Sequence, residues 1–152
     1  GTTAPDFTLH NDEQDAWQLS AHRDRPAVLL FFPGAFTSVC TSELNTVTNE
    51  YNSFGEAYVV GLSTDSTFVL GEFRSVEQIG FPLLSDHDAE VAAQYGAKYE
   101  NNFAGMPLDR IAKRAAFVVD TEGTIRYAEV LENAGKQPDF EAIQDVLESL
   151  RG

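Results

Sequence analysis

The chain has 152 residues, 43% of them hydrophobic, which suits one globular domain (residues 1–152) with a sizeable core and excludes disorder. Its net charge is −14, from 24 acidic and 10 basic residues, a field that repels phosphate backbones and anionic lipid and so argues against nucleic-acid and membrane partners. No apolar run approaches the roughly 20 residues of a membrane span, and a lone cysteine excludes an internal disulfide and any paired-cysteine redox or zinc motif.

The acidic excess is spread along the chain, and only three of the ten basic residues are lysines. A protein kept soluble in high salt would carry this surface, and so would a merely acidic mesophilic one, because charge speaks to solubility and not to fold. The polar start, Gly1 to Asp6, carries no secretory signal, and one cysteine fits a reducing compartment; a cytoplasmic protein is expected. His10, His22 and His87 share no ligand spacing, so neither a metal nor another cofactor is expected.

In chain order, Ala4 to Leu9 alternates briefly and reads as a short edge strand. Ala16 to Leu19 is its hairpin partner, with Trp17 and Leu19 on one face. Ala27 to Phe32 is continuously apolar, as a strand buried on both faces should be. Pro33 ends it, since proline has no N–H for the ladder, and Gly34 permits a tight turn. A helix is predicted from Ser38 to about Ser53, with Leu44, Val47 and Tyr51 at helical spacing, Phe54 near its end and Gly55 as a stop. Thr37 or Ser38 can cap it by accepting a bond from an orphan N–H. With Thr37 as the cap, Cys40 is the third helical residue, where the positive end of the helix dipole lowers a thiol pKa.

Ala57 to Ser63 is a second buried strand. Thr64, Asp65 and Ser66 offer caps for a helix running to about Ile79, with Phe68, Phe73 and Val76 inward. Gly80-Phe81-Pro82 breaks it, and Leu83-Leu84 is a short apolar connection or strand. Asp86 to about Tyr95 is predicted helical and is stopped by Gly96; residues 98–113 are irregular, with Gly105 and Pro107 inside them. Ala115 to Val119 is a third buried strand, Asp120 to Gly123 a hairpin turn, and Thr124 to Val130 the returning strand. Asp139 to Leu150 is an amphipathic helix with Phe140, Ile143, Val146, Leu147 and Leu150 inward. The early strand–helix–strand unit implies parallel strands and a right-handed crossover, and the late hairpin makes the sheet mixed. The outline is an α/β, thioredoxin-like fold: a mixed central sheet flanked by helices, with an N-terminal β-hairpin extension.

Pro33-x-x-x-Thr37-x-x-Cys40 resembles the active-site pattern of the peroxiredoxin family, and Arg114 stands where that family places its active-site arginine. Glu43 matches a recurrent acidic position in the helix after the cysteine. The likeness covers nearly the whole chain, including Phe81 to Asp86, and is greatest to the one-cysteine alkyl hydroperoxide reductase E (AhpE) type. The bacterioferritin-comigratory (Q) type often has a resolving cysteine five residues on, where this chain has Asn45. The segment from Asn101 to Asp109 is longer than the family pattern.

The resemblance implies a thiol-dependent peroxidase that reduces hydrogen peroxide and organic hydroperoxides without a cofactor. Cys40 would be the nucleophile, since the thiolate is the reactive form. Thr37 would hold sulfur and peroxide in line, Pro33 would shield the sulfur from water, and Arg114 would stabilise the thiolate and the polarised peroxide. Glu43 alone would raise the thiol pKa, so it makes sense only with Arg114 between them, orienting the guanidinium. The sulfenic acid would be recycled by an external thiol, either a small molecule or a thioredoxin- or glutaredoxin-like protein. A homodimer built on loops near the site is expected on the same ground.

Each of these residues also has a plainer reading. Cys40 alone could be an inert buried residue, Thr37 only a helix cap, Glu43 a solvated helix residue, and Phe36 either core or pocket wall. Arg110 and Lys113 are rival cations to Arg114. A non-catalytic thioredoxin-fold interaction or redox-sensing protein, in which Cys40 only reports oxidation, and a monothiol disulfide reductase are the competing functions.

Overall fold

A computed structural model describes residues 2–36, 38–49, 57–100, 103, 105–108, 110–132 and 136–151, with the backbone alone described for 38–40, 48, 49 and 151. The strands are β1 (Thr8–Asn11), β2 (Ala16–Gln18), β3 (Ala27–Phe31), β4 (Tyr58–Ser63), β5 (Leu83–Ser85), β6 (Ala115–Val119) and β7 (Ile125–Val130). The helices are α1 (Ser38–Asn49), α2 (Thr67–Glu77), α3 (Glu90–Gln94) and α4 (Phe140–Arg151). Among the described residues the strands form one mixed sheet, in the order β2-β1-β5-β4-β3-β6-β7. It is the thioredoxin-like arrangement expected from the sequence.

The three continuous apolar runs lie side by side at the centre. β3 pairs parallel with β4 and antiparallel with β6, and every residue of β3 and β6 is buried. Alternation along these strands builds two core layers, one on each face. Val28, Leu30, Phe32, Ala116 and Val118 face α1, α2 and α4, which contribute Leu44 and Val47, Leu70 and Phe73, and Ile143 and Leu147. Leu29, Phe31, Leu62 and Phe117 face Val91 of α3, Tyr95 just after it, and Phe7 and Trp17 of the N-terminal segment.

The hairpin extension forms as expected, but β1 is not an edge strand. It pairs with β5 as well as β2, so Leu83–Ser85 is a true strand and β2 is the edge. β1 also begins later than the alternation suggests. Thr2 and Ala4 pair instead with Ile125 and Gly123, through Ile125 N–H to Thr2 C=O and Ala4 N–H to Gly123 C=O, both 2.8 Å. Pro5, with no N–H to give, separates that contact from β1.

Two helices depart from expectation. In α2, Leu70 and Phe73 point inward, whereas Phe68 is 73% and Val76 56% exposed. Leu70 and Phe73 are three apart and share the stripe over the sheet, and Phe68 and Val76 lie off it. Residues 86–89 turn rather than coil into α3, because the buried Asp86 carboxylate reaches forward to accept the N–H groups of Val91 (3.1 Å) and Ala92 (2.8 Å). Ser66 caps α2 by accepting from Val69 N–H, and Asp139 caps α4 by accepting from Ala142 N–H at 3.1 Å. Phe140, Val146 and Leu150 pack partly buried around Ile143 and Leu147. The turn after β6 places Gly123 at φ +81°, where glycine is favoured. The predicted far end of α1, with Tyr51, Ser53, Phe54 and Gly55, lies outside the described residues. No described helix is long and apolar enough to cross a membrane.

Candidate active site

The site is assembled where β3 ends. Pro33 follows the strand and is buried, and Phe36 stands half-exposed at φ +65°, its ring edge-on to Phe73 with centroids 4.9 Å apart. α1 begins two residues later at Ser38, so Cys40 is its third residue, as the capping argument requires. Thr37 and the thiol of Cys40 lie outside the described residues.

The register of β3 with β6 delivers the arginine. Phe31 pairs with Ala115, so Arg114 is level with Phe32, at the mouth of the Pro33 turn. Side chains alternate along β6, and Arg114 therefore shares the face of Ala116 and Val118, the face on which α1 packs. Arg114 is buried there, and its Nη1 donates to Oε1 of Glu43, which is fully buried one helical turn beyond Cys40. Glu43 is thus not a solvated helix residue. The rival cations are engaged elsewhere: Lys113 donates to Glu132 at 2.9 Å and lies over the Tyr99 ring, and Arg110 forms an exposed pair with Asp88 at 3.7 Å. Their pairs are largely hydrated, whereas the Arg114–Glu43 pair is dry.

Burial dominates the electrostatics of that pair. It pushes the Glu43 carboxyl up from 4.5 to about 7, against the pull of the Arg114 guanidinium and its hydrogen bond. The second oxygen, Oε2, is buried and has no hydrogen-bond partner among the described residues, which adds to the cost of ionising it. Burial thus works against the ionised form of Glu43, and the Arg114 guanidinium works for it.

A carboxyl that holds its proton more tightly when folded stabilises the fold fully below its ordinary pKa and loses that contribution as pH rises through the folded value. For Glu43 the window runs from pH 4.5 to about 7, and that rise corresponds to about 3 kcal/mol. Denaturant unfolding of wild type should show stability falling across this window, with that part of the slope missing in Glu43→Gln. Equal slopes in the two proteins would refute the assignment.

One feature that the sequence did not reveal as part of the site is Asp65, read there only as a possible helix cap. Its carboxylate Oδ2 accepts the backbone N–H of Ala35 and the hydroxyl of Ser63, both at 2.8 Å, and so ties the turn after β3 to the end of β4. Its signal was its place two residues beyond a buried strand that lies parallel to β3.

Comparison with known proteins agrees with this architecture. The family model described as AhpC/TSA family matches residues 1–128. A putative peroxiredoxin bcp of Haemophilus influenzae is 33% identical over 153 residues, covering 99% of this chain and 96% of that protein. Peroxiredoxin Bcp of Escherichia coli K12 is 31% identical over 129 residues, covering 84% of this chain and 82% of that protein. The crystal structure of peroxidoxin BcpB from Mycobacterium tuberculosis superimposes with a TM-score of 0.86 at 31% identity, over 100% of this chain and 97% of that one. With the strand order, the buried arginine and a helix that carries the sole cysteine in its first turn, these matches show that the chain belongs to the AhpC/TSA family of peroxiredoxins and is a thiol-dependent peroxidase.

Proposed function

We propose that the peroxidase works by a one-cysteine cycle, of the AhpE-like kind, with Cys40 as the attacking thiolate. The observation that carries the reading is the buried Arg114–Glu43 pair, held one helical turn from the only cysteine in the chain. The thiolate attacks the terminal oxygen of a hydroperoxide, hydrogen peroxide or organic. The O–O bond breaks, an S–O bond forms, and the alkoxide or hydroxide leaves and takes up a proton as alcohol or water. Sulfur is oxidised by two electrons to the sulfenic acid, and the peroxide is reduced by the same two. Arg114 lowers the thiol pKa and stabilises negative charge on the departing oxygen in a dry setting, where such interactions are strong. Glu43 orients the guanidinium and stops it from folding away. Pro33 shields the sulfur, and Thr37 aligns sulfur and peroxide.

The chain has no second cysteine, so an external thiol condenses with the sulfenic acid and releases water. A second thiol then attacks the mixed disulfide and returns Cys40 to its reduced form. A small thiol or a thioredoxin- or glutaredoxin-like dithiol protein fits this step. We further propose that residues 1–152 act as one domain, that the protein works in the reducing cytoplasm, that it forms a homodimer, and that its charge of −14 suits a high-salt interior.

The deciding experiment is peroxide consumption by wild type and Cys40→Ser with a thiol reductant. Turnover in wild type and none in the variant is expected. Slow stoichiometric oxidation of wild type without turnover would favour the sensing role instead.

A further inference from the structure

We propose that Asp65 is a positioning residue for peroxide reduction: its carboxylate holds the turn of residues 33–36 in place and, through it, the first turn of α1. This rests on Cys40 as the attacking thiolate. Asp65 is held through one carboxylate oxygen, its N–H and its carbonyl. Oδ2 accepts from Ala35 N–H and from the Ser63 hydroxyl, each at 2.8 Å. The Ser63 oxygen accepts in return from Asp65 N–H at 3.2 Å, and the Asp65 carbonyl accepts from the Ser85 hydroxyl at 2.7 Å. Ser63 and Ser85 are register partners at the ends of β4 and β5, and Ser63 is fully buried. The ends of three neighbouring parallel strands, β3, β4 and β5, are thus joined through one residue, its carboxylate serving the first two and its backbone carbonyl the third. In open α/β sheets the ends of parallel strands are where ligands bind.

The turn it holds is under strain. Phe36 is not glycine, yet it sits at φ +65°, a left-handed conformation that persists only where its surroundings over-determine it. Two contacts do so here: the Ala35 N–H bond to Asp65 on one side and the Phe73 ring on the other. Ser66, the next residue after Asp65, caps α2, so the anchor is itself fixed to the helix that carries Phe73. Without the carboxylate, Phe36 can relax, and the chain entering α1 loses its fixed angle. Small misplacements of a reacting group carry large rate costs.

Asp65→Ala should slow the second-order oxidation of Cys40 by peroxide at least tenfold and raise the thiol pKa, read by thiolate absorbance, while far-UV circular dichroism stays that of wild type. Asp65→Asn keeps an acceptor oxygen for Ala35 N–H and should retain at least a third of the rate. That rescue separates positioning from a merely structural loss. If Asp65→Ala does not fold, Ser63→Ala leaves the carboxylate in place but free to swing, and a drop of threefold or more is expected. Wild-type rate and thiol titration in Asp65→Ala, or in Ser63→Ala where that variant decides, overturns the inference, as does an Asp65→Asn rate no better than that of Asp65→Ala. Cys40→Ser run alongside tests the reading beneath it: peroxide consumption surviving in that variant refutes the thiolate assignment, whatever Asp65 does.

Discussion

Arg114→Ala is expected to slow the reaction of Cys40 with peroxide by about 10²-fold, the loss typical of removing one preorganised group that stabilises developing negative charge. The thiol pKa should rise towards the free value of about 8.5. Stability should fall as well, because removing one partner of a buried ion pair costs about 3–5 kcal/mol when the other charge stays behind. Glu43 softens that loss. Its carboxyl is already pushed up to about 7 with the guanidinium present, and without it the proton is held more tightly still. The double variant Arg114→Ala, Glu43→Gln should therefore recover stability but not rate. Stopped-flow oxidation and thiolate absorbance measure the chemistry, and denaturant unfolding measures the fold. If Arg114→Ala left rate and thiol pKa unchanged, the cation would have no part in the site, and Lys113 or Arg110 would have to be tried next.

The second large effect concerns the oxidised protein. Stoichiometric peroxide should add one oxygen to the intact mass, and a small thiol should remove it. Excess peroxide without a reductant should carry Cys40 on to sulfinic acid and abolish activity, since no second thiol in the chain intercepts the sulfenic acid. A covalent dimer is not expected. Two Cys40 residues could pair only with α-carbons about 4.4–6.8 Å apart. Cys40 is the third residue of a regular twelve-residue helix, and the first turn would have to unwind in both subunits. A nonreducing gel dominated by covalent dimer, with activity returning only on its reduction, would overturn the one-cysteine cycle.

The parts of the fold that the sequence made legible are those where one physical demand dominates. Ala27–Phe31 and Ala115–Val119 are apolar at every position because both their faces are covered, and they read as central strands without ambiguity. α4 was legible because a single stripe, from Phe140 to Leu150, faces the sheet. α2 misleads because Phe68 and Val76 are apolar yet exposed, so hydrophobicity alone points to the wrong face. α3 is shorter than its composition suggests, because Asp86 spends its carboxylate on N–H groups five and six residues ahead. At the site, helix-start chemistry around Cys40 is local and readable. The join between Arg114 and Glu43 is not: the two residues are 71 apart, and only a resemblance brought them together before the strand register did. Asp65 was missed for the same reason, its partner Ala35 being 30 residues away.

That separation has a consequence for how the chain matures. The β3–β6 ladder joins Ala27 to Val119, among the most distant strand pairings in the molecule, and its loop must close before Arg114 can meet Glu43. Contacts of such high sequence separation are slow to form, because chain entropy is lost before the contact repays it. A nascent chain leaves the ribosome from its N-terminus, so Cys40 and α1 emerge long before β6 does. The β3–α1–β4 unit can assemble in that interval, but it lacks the cation. Thiol reactivity, on the proposed mechanism, switches on only when the last central strand docks. Until then the cysteine of an unfinished chain stays close to an ordinary, sluggish thiol, and a cell under oxidative stress does not spend it before folding is complete.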